Sequence, residues 1–374
     1  MSEVKRAVIF VDDECTEETK GTKPLILREM LFCPVLTWLS RGLRERGVER
    51  FFLFCTEQYR EEALSYFDEP DRVVASIDRD ALVEFLSGEE PAIVVPCAAI
   101  PIDTANKNYV YAACGDHIIK SMEEDTEEVD GAETVEGFTS IMSSRELNTL
   151  QFLARGKILR NLVAADVNVL DANNTYIDPR VRIGAGTMIL PGTILRGNTV
   201  IGENCEIGPN SVVNECIVGN DTVVNASQIN ESTVGSRTNI GPFAYVRPGC
   251  TIGDDIKVGD FVECKNSTIG NGTKISHLTY VGDSDVGEGV NFGCGTVTVN
   301  YDGKSKYRCT IGDHAFLGCN TNLVAPVEVG EGAFTAAGST ITTNVPAGDL
   351  GVARARQKNL PDWAKKRREN GLLK

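Results

Sequence analysis

The sequence predicts a two-part fold, in which an α/β domain with a Rossmann-like parallel sheet precedes a long all-β domain built from stacked coils. Two observations predict this division. Apolar runs alternate with helical patterns over the first third of the chain. A six-residue repeat of aliphatic residues then begins at Ile177 and continues almost to the C-terminus. A fixed period of this kind is the signature of a repeat architecture.

The six-residue repeat predicts the all-β domain. A period of six does not match the 3.6-residue turn of a helix, but it fits short strands separated by tight turns, with one inward aliphatic side chain per turn. Three such units close a triangular coil of about eighteen residues, which gains its core by stacking on the next coil. A β-sandwich is the alternative, although its strands usually recur every ~8–12 residues. The repeat positions are Ile177, Ile183, Ile189, Leu195, Ile201, Ile207 and Val213; Ile240, Val246, Ile252, Val258 and Cys264; and Ile311, Leu317, Leu323, Val329, Thr335 and Ile341.

The N-terminal part shows the alternation that is typical of a parallel sheet with crossover helices. The predicted strands are 7–11, 51–54 and 92–96, and the predicted helices are 30–47, 58–67 and 79–88. The predicted domains are 1–138 for the α/β domain, 139–164 for a linker helix, 165–346 for the β-domain, and 347–374 for a tail with a short basic helix.

Composition excludes several classes of protein. The chain has 374 residues and a net charge of −16, which argues against general nucleic-acid binding. No apolar run approaches the ~18 residues of a membrane helix, and the N-terminus lacks a signal-peptide layout, so we expect no membrane insertion. The twelve cysteines show no CxxC pairs and read as free thiols in a reducing cytoplasm. These features predict a cytoplasmic protein.

The repeat is interrupted most clearly between Thr298 and Thr310. A regular coil cannot absorb this segment, so we expect it to be extruded as a loop. Loops on rigid scaffolds often carry function. A neutral insertion is the alternative, but the segment contains two Lys, one Arg, two Tyr and an Asn rather than mostly Ser and Gly.

One histidine and two cations of the β-domain are candidate functional residues. Arg247 and Lys265 are eighteen residues apart, and each follows an inward repeat position, so they should lie one above the other in adjacent coils. Two stacked cations repel unless an anion such as a phosphate lies between them. Two solvated charges are the alternative, and Glu263 could neutralise the pair in part. A lone histidine is more often structural than catalytic, so the position of His277 by itself favours a structural role over a catalytic one.

Several long motifs together resemble the acetyltransferase half of the bacterial bifunctional N-acetylglucosamine-1-phosphate uridyltransferase/glucosamine-1-phosphate N-acetyltransferases. The resemblance covers residues ~165–357, with the motifs in the same order. It implies a left-handed parallel β-helix that trimerises, with active sites between subunits, and acetyl-coenzyme A as the acetyl donor. The motifs are Ile240-Gly-Pro-Phe-Ala-Tyr-Val-Arg-Pro-Gly, Val258-Gly-Asp-Phe-Val-Glu-Cys-Lys, Ser276-His-Leu-Thr-Tyr-Val-Gly-Asp, Val290-Asn-Phe-Gly-Cys-Gly-Thr, Asn300-Tyr-Asp-Gly-Lys and Leu323-Val-Ala-Pro.

The resemblance also implies roles for individual residues. His277 matches the general base that takes a proton from the sugar amine, which suits a side chain with an unperturbed pKa near 6.5. Glu263 matches a carboxylate near that base, which could orient it. The residues that match substrate contacts are Arg247, Lys265, Tyr280, Asn291, Asn300 and Lys306. Those that match the acetyl-coenzyme A site are Cys294, Asn300, Tyr301, Cys319, Ala337 and Arg354.

Three features of the predicted cofactor site depart from the family pattern. The family usually has Ala at Cys294 and Ser at Cys319, and it usually continues Val-Pro after Arg354, where this chain has Ala355-Arg356. A contact made by a Ser hydroxyl would be weakened at Cys319, whereas backbone contacts would survive.

The N-terminal part departs further from the family's nucleotidyltransferase pattern. A Gly-rich phosphate-binding loop should follow the first strand, but this chain has acidic residues after Val11, with Lys23-Pro24 as a remnant of the later Lys. Acidic residues would repel a triphosphate. The metal-binding Gly-Asp-Val-Pro motif corresponds to Val94-Val-Pro-Cys, without the Asp. We therefore expect this shortened domain to have lost uridyltransferase activity.

The sequence thus predicts an acetyl-coenzyme A-dependent N-acetyltransferase that acts on glucosamine 1-phosphate by direct attack of the amine, without a catalytic metal. The product, N-acetylglucosamine 1-phosphate, would serve the synthesis of cell-envelope precursors. Two alternatives stay open. The acceptor could be another amino-sugar phosphate or a nucleotide-linked amino sugar, or the chain could be a non-catalytic scaffold or regulator.

Overall fold

The computed structural model describes residues 4–12, 23–67, 69, 72–126 and 128–374. The chain divides into two compact units, Met1–Glu215 and Cys216–Lys374. Of the acidic segment expected to replace the Gly-rich loop, Asp12 accepts a hydrogen bond from the Thr56 backbone N–H, and residues 13–22 lie outside the described residues. Within the described part of the chain, no helix combines the length and the apolar character needed to cross a bilayer.

A six-stranded sheet forms the centre of the first unit, in the order β5-β4-β1-β6-β8-β9. The first four of these strands are parallel, and β8 and β9 extend the sheet with antiparallel pairing. The predicted Rossmann-like sheet is therefore confirmed. The strands of this part are β1 Arg6–Phe10, β2 Glu29–Met30, β3 Cys33–Pro34, β4 Arg50–Phe54, β5 Val73–Ser76, β6 Pro91–Val95, β7 Ala99–Ile100, β8 Tyr111–Cys114, β9 Glu133–Thr134 and β10 Thr139–Ser140.

Helices cover both faces of this sheet. Helix α1 packs into the larger cluster of buried side chains, whereas α3 and α4 contribute to the smaller cluster. Helix α4 was not predicted, because it lies in a stretch rich in charged residues, but its Ile118 is buried against the sheet. A 3₁₀ turn spans Leu25–Leu27, and the helices are α1 Val35–Arg44, α2 Glu57–Leu64, α3 Arg79–Leu86, α4 Gly115–Glu124 and α5 Ser144–Ala164.

Helix α5 begins with a reciprocal cap. The Ser143 hydroxyl accepts a hydrogen bond from the Glu146 backbone N–H at 3.2 Å, and the Glu146 carboxylate accepts one from the Met142 N–H at 2.7 Å. This arrangement satisfies two backbone donors at the helix start. The helix is followed directly by the first coil of the β-domain.

The first unit also contains the opening coils of the β-domain. Every third strand along the chain is a neighbour in the same parallel sheet, giving the orders β11-β14-β17, β12-β15-β18 and β13-β16. Ile177 pairs with Leu195 and Ile183 with Ile201, each eighteen residues on, as the repeat predicts. These strands are β11 Asn168–Val169, β12 Tyr176–Ile177, β13 Arg182–Ile183, β14 Met188–Ile189, β15 Ile194–Arg196, β16 Val200–Ile201, β17 Glu206–Ile207 and β18 Val212–Asn214.

The second unit has the same three-sheet arrangement, and the predicted left-handed parallel β-helix is confirmed. Its sheets are β20-β23-β26-β29-β32-β35-β38-β40, β21-β24-β27-β30-β33-β36-β39 and β19-β22-β25-β28-β31-β34-β37. A short helix, α6 Trp363–Glu369, lies near the C-terminus. The strands are β19 Ile217–Val218, β20 Val223–Val224, β21 Gln228–Asn230, β22 Thr233–Val234, β23 Asn239–Ile240, β24 Tyr245–Val246, β25 Thr251–Ile252, β26 Lys257–Asp260, β27 Glu263–Lys265, β28 Thr268–Ile269, β29 Lys274–His277, β30 Tyr280–Gly282, β31 Ser284–Val286, β32 Asn291–Phe292, β33 Val297–Val299, β34 Cys309–Ile311, β35 Phe316–Leu317, β36 Asn322–Val324, β37 Val327–Val329, β38 Phe334–Thr335, β39 Thr340–Ile341 and β40 Leu350–Gly351.

The coils of the second unit differ in length, which explains why the aliphatic residues there do not always recur at intervals of six. Val246 pairs with Cys264 eighteen residues on, but Cys264 pairs with Val281 only seventeen residues on. The register nevertheless keeps one inward side chain above another. Each buried aliphatic side chain contributes roughly 1.5–3 kcal/mol relative to an exposed one.

Replacing a core isoleucine should therefore destabilise the β-helix far more than replacing an exposed one. Ile229 is fully buried in β21, whereas Ile217 in β19 is 56% exposed. We expect Ile229→Ala to cost about 2–5 kcal/mol and Ile217→Ala less than ~1 kcal/mol, because only the first leaves a cavity. Chemical denaturation of both variants measures this difference, and equal losses would contradict the assignment of the inward row.

Candidate active site

Five residues at one corner of the β-helix form a vertical row, here called the corner column: Asp260, His277, Cys294, Cys319 and Ala337. Each lies two positions after an inward residue, and these inward residues pair from coil to coil. Backbone hydrogen bonds continue past the strand ends, from Asn320 N–H to the Cys294 carbonyl and from Gly338 N–H to the Cys319 carbonyl, both at 2.8 Å. The predicted base and three predicted cofactor residues thus share one column.

His277 has a carboxylate partner in the coil below. Its Nδ1 lies 2.7 Å from Oδ1 of Asp260, and the two residues are register partners on β29 and β26. The hydrogen bond with His277 is the main cause that holds the pKa of Asp260 below its usual range. The His277 side chain is 55% exposed, so its ring remains open to a ligand.

Glu263, expected beside the base, contacts a different side chain. Its Oε1 accepts a hydrogen bond from Nη1 of Arg247 at 2.8 Å, and this bond raises the pKa of Arg247. Glu263 therefore neutralises part of the Arg247–Lys265 pair. Its role as a residue that orients the base stays a prediction.

Three cations, here called the cation cluster, come together beside this ion pair: Arg247, Lys265 and Lys306. The pairing of Val246 with Cys264 aligns Arg247 with Lys265 in adjacent coils. Contact with the Lys306 amine, together with burial and the charge of Arg247, lowers the pKa of Lys265. Cations held this close together are suited to bind an anion.

One buried carboxylate, Asp283, lies next to the cation cluster. It accepts hydrogen bonds from the side-chain amides of Asn266, at 2.6 Å, and Asn300. Burial alone would raise the pKa of Asp283, but these bonds and the charges of Lys265 and Lys306 outweigh it, so the pKa is lowered. Asp283 therefore stays ionised and fixes Asn300, which is 8% exposed.

The predicted extruded loop is shorter than expected, because Thr298 and Cys309 belong to β33 and β34. Residues 300–308 leave the coil and return as a small hairpin, in which an isolated bridge pairs Tyr301 with Lys306. The Asp302 carboxylate closes its tip by accepting from the N–H groups of Lys304 and Ser305, each at 2.7 Å. This hairpin carries Lys306 to the cation cluster.

Arg308 anchors the hairpin where it rejoins the coil. Its guanidinium donates to both carboxylate oxygens of Asp285, at 2.8 and 2.6 Å, and to the carbonyls of Asn266 and Ser284, each at 3.0 Å. Such bidentate, charge-assisted bonds fix geometry more firmly than single ones. Arg308 therefore positions the loop without belonging to the cation cluster.

The remaining predicted site residues are distributed around these groups. Tyr280 on β30 is the register partner of Glu263 and lies 3.4 Å from the Asn300 amide. Asn291 is on β32, in the sheet of His277, where it pairs with Lys274 and Phe316. The exposed Tyr301 donates a hydrogen bond to the Gly303 carbonyl at 2.7 Å, within its own hairpin.

Arg354 lies at the upper end of the corner column. A Cβ atom added to Gly338 would be 3.8 Å from Cδ of Arg354. Of the two cysteines that depart from the family pattern, Cys294 is partly buried and Cys319 is exposed. The column therefore presents both thiols on the surface where the cofactor was predicted to bind.

Sequence reasoning missed Asp260, Asp283 and Arg308. Asp260 lies seventeen residues before His277, so it becomes visible only when the shorter coil length is known. Asp283 ends one of the motifs that resemble the family, and Arg308 lies in the interruption of the repeat. Nothing in their spacing distinguishes an anchoring residue from a solvated charge.

Some positions that correspond to the nucleotidyltransferase motifs lie among the described residues of the N-terminal part. Lys23 forms an ion pair with Glu62 at 2.5 Å. Val94, Cys97 and Ala98 are buried. Within the described ranges, no group of His, Cys, Asp or Glu side chains is arranged to hold a metal ion.

Comparison with known proteins agrees with this architecture. The family "Bacterial transferase hexapeptide (six repeats)" matches residues 180–215, 231–266 and 308–343. Two curated relatives, both bifunctional GlmU proteins of Clostridium perfringens strains, are 49% identical over 252 residues and 52% identical over 228 residues. These matches confirm the resemblance given by the motifs and indicate an acyltransferase of the hexapeptide-repeat type.

The coverage of these matches is partial. They include 67% and 61% of this chain but only 56% and 50% of the relatives, so the chain spans about half the length of the curated proteins it matches. A solved structure, the UDP-N-acetylglucosamine acyltransferase of Arabidopsis, matches 56% of this chain and 76% of its own at 18% identity, with a TM-score of 0.35. The fold assignment rests on the strand order rather than on that score.

Removing the Arg308 anchor should loosen the hairpin without unfolding the β-helix. We expect Arg308→Ala to increase amide exchange of residues 300–308 by about tenfold or more, because charge-assisted hydrogen bonds of this kind contribute roughly 1.5–3 kcal/mol. Hydrogen–deuterium exchange with mass spectrometry measures this. Arg237→Ala is the matched control, since Arg237 makes a similar bidentate pair with Asp255 elsewhere. Unchanged exchange of the hairpin would contradict the anchoring role.

Proposed function

We propose that this chain, whose β-helix is related to the acetyltransferase half of the bifunctional GlmU proteins, transfers acetyl from acetyl-coenzyme A to the amine of glucosamine 1-phosphate. The product would be N-acetylglucosamine 1-phosphate, a precursor of UDP-N-acetylglucosamine. The observation that carries the proposal is the corner column, in which His277 is in line with three residues that match the family's cofactor site. Lys265 of the cation cluster follows Asp260 of the column by only five residues in the chain.

The chemistry requires a neutral amine, and His277 supports this requirement. An amine that attacks the thioester carbonyl must lose a proton, and an imidazole can accept it near neutral pH. The carbon–sulfur bond then breaks, the acetyl group remains on nitrogen as an amide, and coenzyme A leaves as its thiol after taking up a proton. Backbone N–H groups would stabilise the oxyanion of the tetrahedral intermediate. No residue is assigned as a covalent nucleophile.

The cation cluster supports a phosphorylated acceptor. A sugar phosphate brings about two negative charges, which would relieve the repulsion among Arg247, Lys265 and Lys306. The ion pair with Glu263 and the buried Asp283 keep these cations in place while the ligand is absent. Tyr280, Asn291 and Asn300 are the proposed sugar contacts. The proposed acetyl-coenzyme A contacts are Cys294, Asn300, Tyr301, Cys319, Ala337 and Arg354.

Several wider properties belong to the same proposal. The chain would act as a homotrimer with active sites between subunits, in the cytoplasm, and without a catalytic metal. Uridyltransferase activity would be absent, as the missing Asp in Val94-Val-Pro-Cys and the ion-paired Lys23 suggest. The proposed substrates are small molecules, with no nucleic acid or membrane as partner.

The activity is tested by thiol release from acetyl-coenzyme A. We expect turnover with glucosamine 1-phosphate, and a kcat/KM at least about a hundredfold lower with glucosamine, which lacks the phosphate. His277→Ala should lower kcat by about 10²–10⁴-fold, the usual contribution of a general base. A chelator should leave the rate unchanged.

Controls separate this outcome from loss of structure. His117→Ala removes a histidine of helix α4 and should leave turnover intact, and size-exclusion chromatography should show the same oligomer for both variants. A further assay with UTP, N-acetylglucosamine 1-phosphate and Mg²⁺ should release no pyrophosphate. Absence of thiol release with any amine would overturn the proposed activity, and preference for another amino sugar would overturn the acceptor.

A further inference from the structure

The contact between His277 and Asp260 is built into the fold rather than made by two free side chains. The residues end strands β29 and β26, which are adjacent in one parallel sheet, and their Cα atoms are register partners. The Leu278 N–H donates to the Asp260 carbonyl at 3.0 Å, so the backbone hydrogen bonding continues past both side chains. The pairing of the imidazole with the carboxylate is therefore a consequence of the coil register.

Hydrogen-bond chemistry at this contact selects one form of the imidazole. An ionised carboxylate can only accept hydrogen bonds, so the Nδ1 atom that lies 2.7 Å from Asp260 must carry the proton. In a neutral imidazole, Nε2 then has no proton and presents a lone pair. The bond with His277 keeps the pKa of Asp260 low, so the carboxylate stays in its accepting form.

The other charged groups of these strands do not compete for Nδ1. Lys257 on β26 and Lys274 on β29 are register partners of each other at the opposite ends of the strands, and Lys257 favours the ionised form of Asp260. The coil above contributes Asn291 and Cys294 to this sheet edge, so it adds no carboxylate that could accept from Nδ1. Glu263 is hydrogen-bonded to Arg247.

We propose that Asp260 is a positioning residue, which holds His277 in the Nδ1-protonated tautomer and so makes Nε2 the atom that accepts the proton of the amine. This inference rests on the proposed function, because it names the atom that performs the base step. In other functional sites a carboxylate likewise orients a histidine without itself becoming protonated.

The tautomer can be measured without any turnover. Solid-state ¹⁵N NMR of the full chain, labelled at its three histidines, distinguishes protonated from unprotonated ring nitrogens. We expect His277, identified by its loss in His277→Ala, to show a protonated Nδ1 and a bare Nε2 at a pH where the ring is neutral. In Asp260→Ala we expect a mixture of the two tautomers. An unchanged His277 spectrum in Asp260→Ala would overturn the inference.

Kinetics supply the second readout. We expect Asp260→Ala to lower kcat about ten- to a hundredfold while the KM values for acetyl-coenzyme A and glucosamine 1-phosphate change less than about threefold, since the residue touches neither substrate. Asp260→Glu, which retains a carboxylate, should recover part of the loss. Asp255→Asn is the matched control: this exposed carboxylate pairs with Arg237, and its variant should match the wild type in both readouts.

The outcomes separate the two proposals. Wild-type turnover that survives unchanged in Asp260→Ala would overturn the positioning role alone. A wild type that transfers no acetyl group would overturn the proposed function, and the tautomer spectrum would still report whether Asp260 orients the ring.

Discussion

The constraint on which the rest of the structure depends is the parallel register of the coils. One buried aliphatic side chain lies above another, so any residue at a fixed offset from this row lies above its counterpart in the previous coil. This geometry brings side chains that are distant in sequence together in vertical columns, such as the corner column. His277 and Cys294 differ by one coil, and Cys294 and Cys319 differ by one coil plus a hairpin.

Variation in coil length is what makes the site chemically distinct. Eighteen residues separate the pair Val246–Cys264, seventeen separate Cys264–Val281, and twenty-five separate Phe292–Leu317. The longest of these coils extrudes the hairpin that carries Lys306. Arg308 anchors the hairpin to Asp285, and the strands are back in register at Leu317. A single insertion thus completes a cluster of cations without disturbing the core above it.

Much of this could be predicted from the sequence, because period and register are local properties. The alignment of Arg247 with Lys265 followed from the eighteen-residue coil, and the hairpin followed from the break in the repeat. The partner of His277 did not, since the expectation of an eighteen-residue coil gives no reason to pair it with Asp260. Helix α4 was also missed, because the charged residues of 106–137 were interpreted as a polar, acidic segment, although Ile118 is buried against the sheet.

The most direct test of the account is a crystal structure with coenzyme A and N-acetylglucosamine 1-phosphate bound. We expect the amide nitrogen to lie within hydrogen-bond distance of Nε2 of His277 and the phosphate to bind the cation cluster. Coenzyme A should lie along Cys294, Cys319 and Ala337 of the corner column. A phosphate bound away from Arg247, Lys265 and Lys306, or an amide nitrogen far from His277, would contradict it.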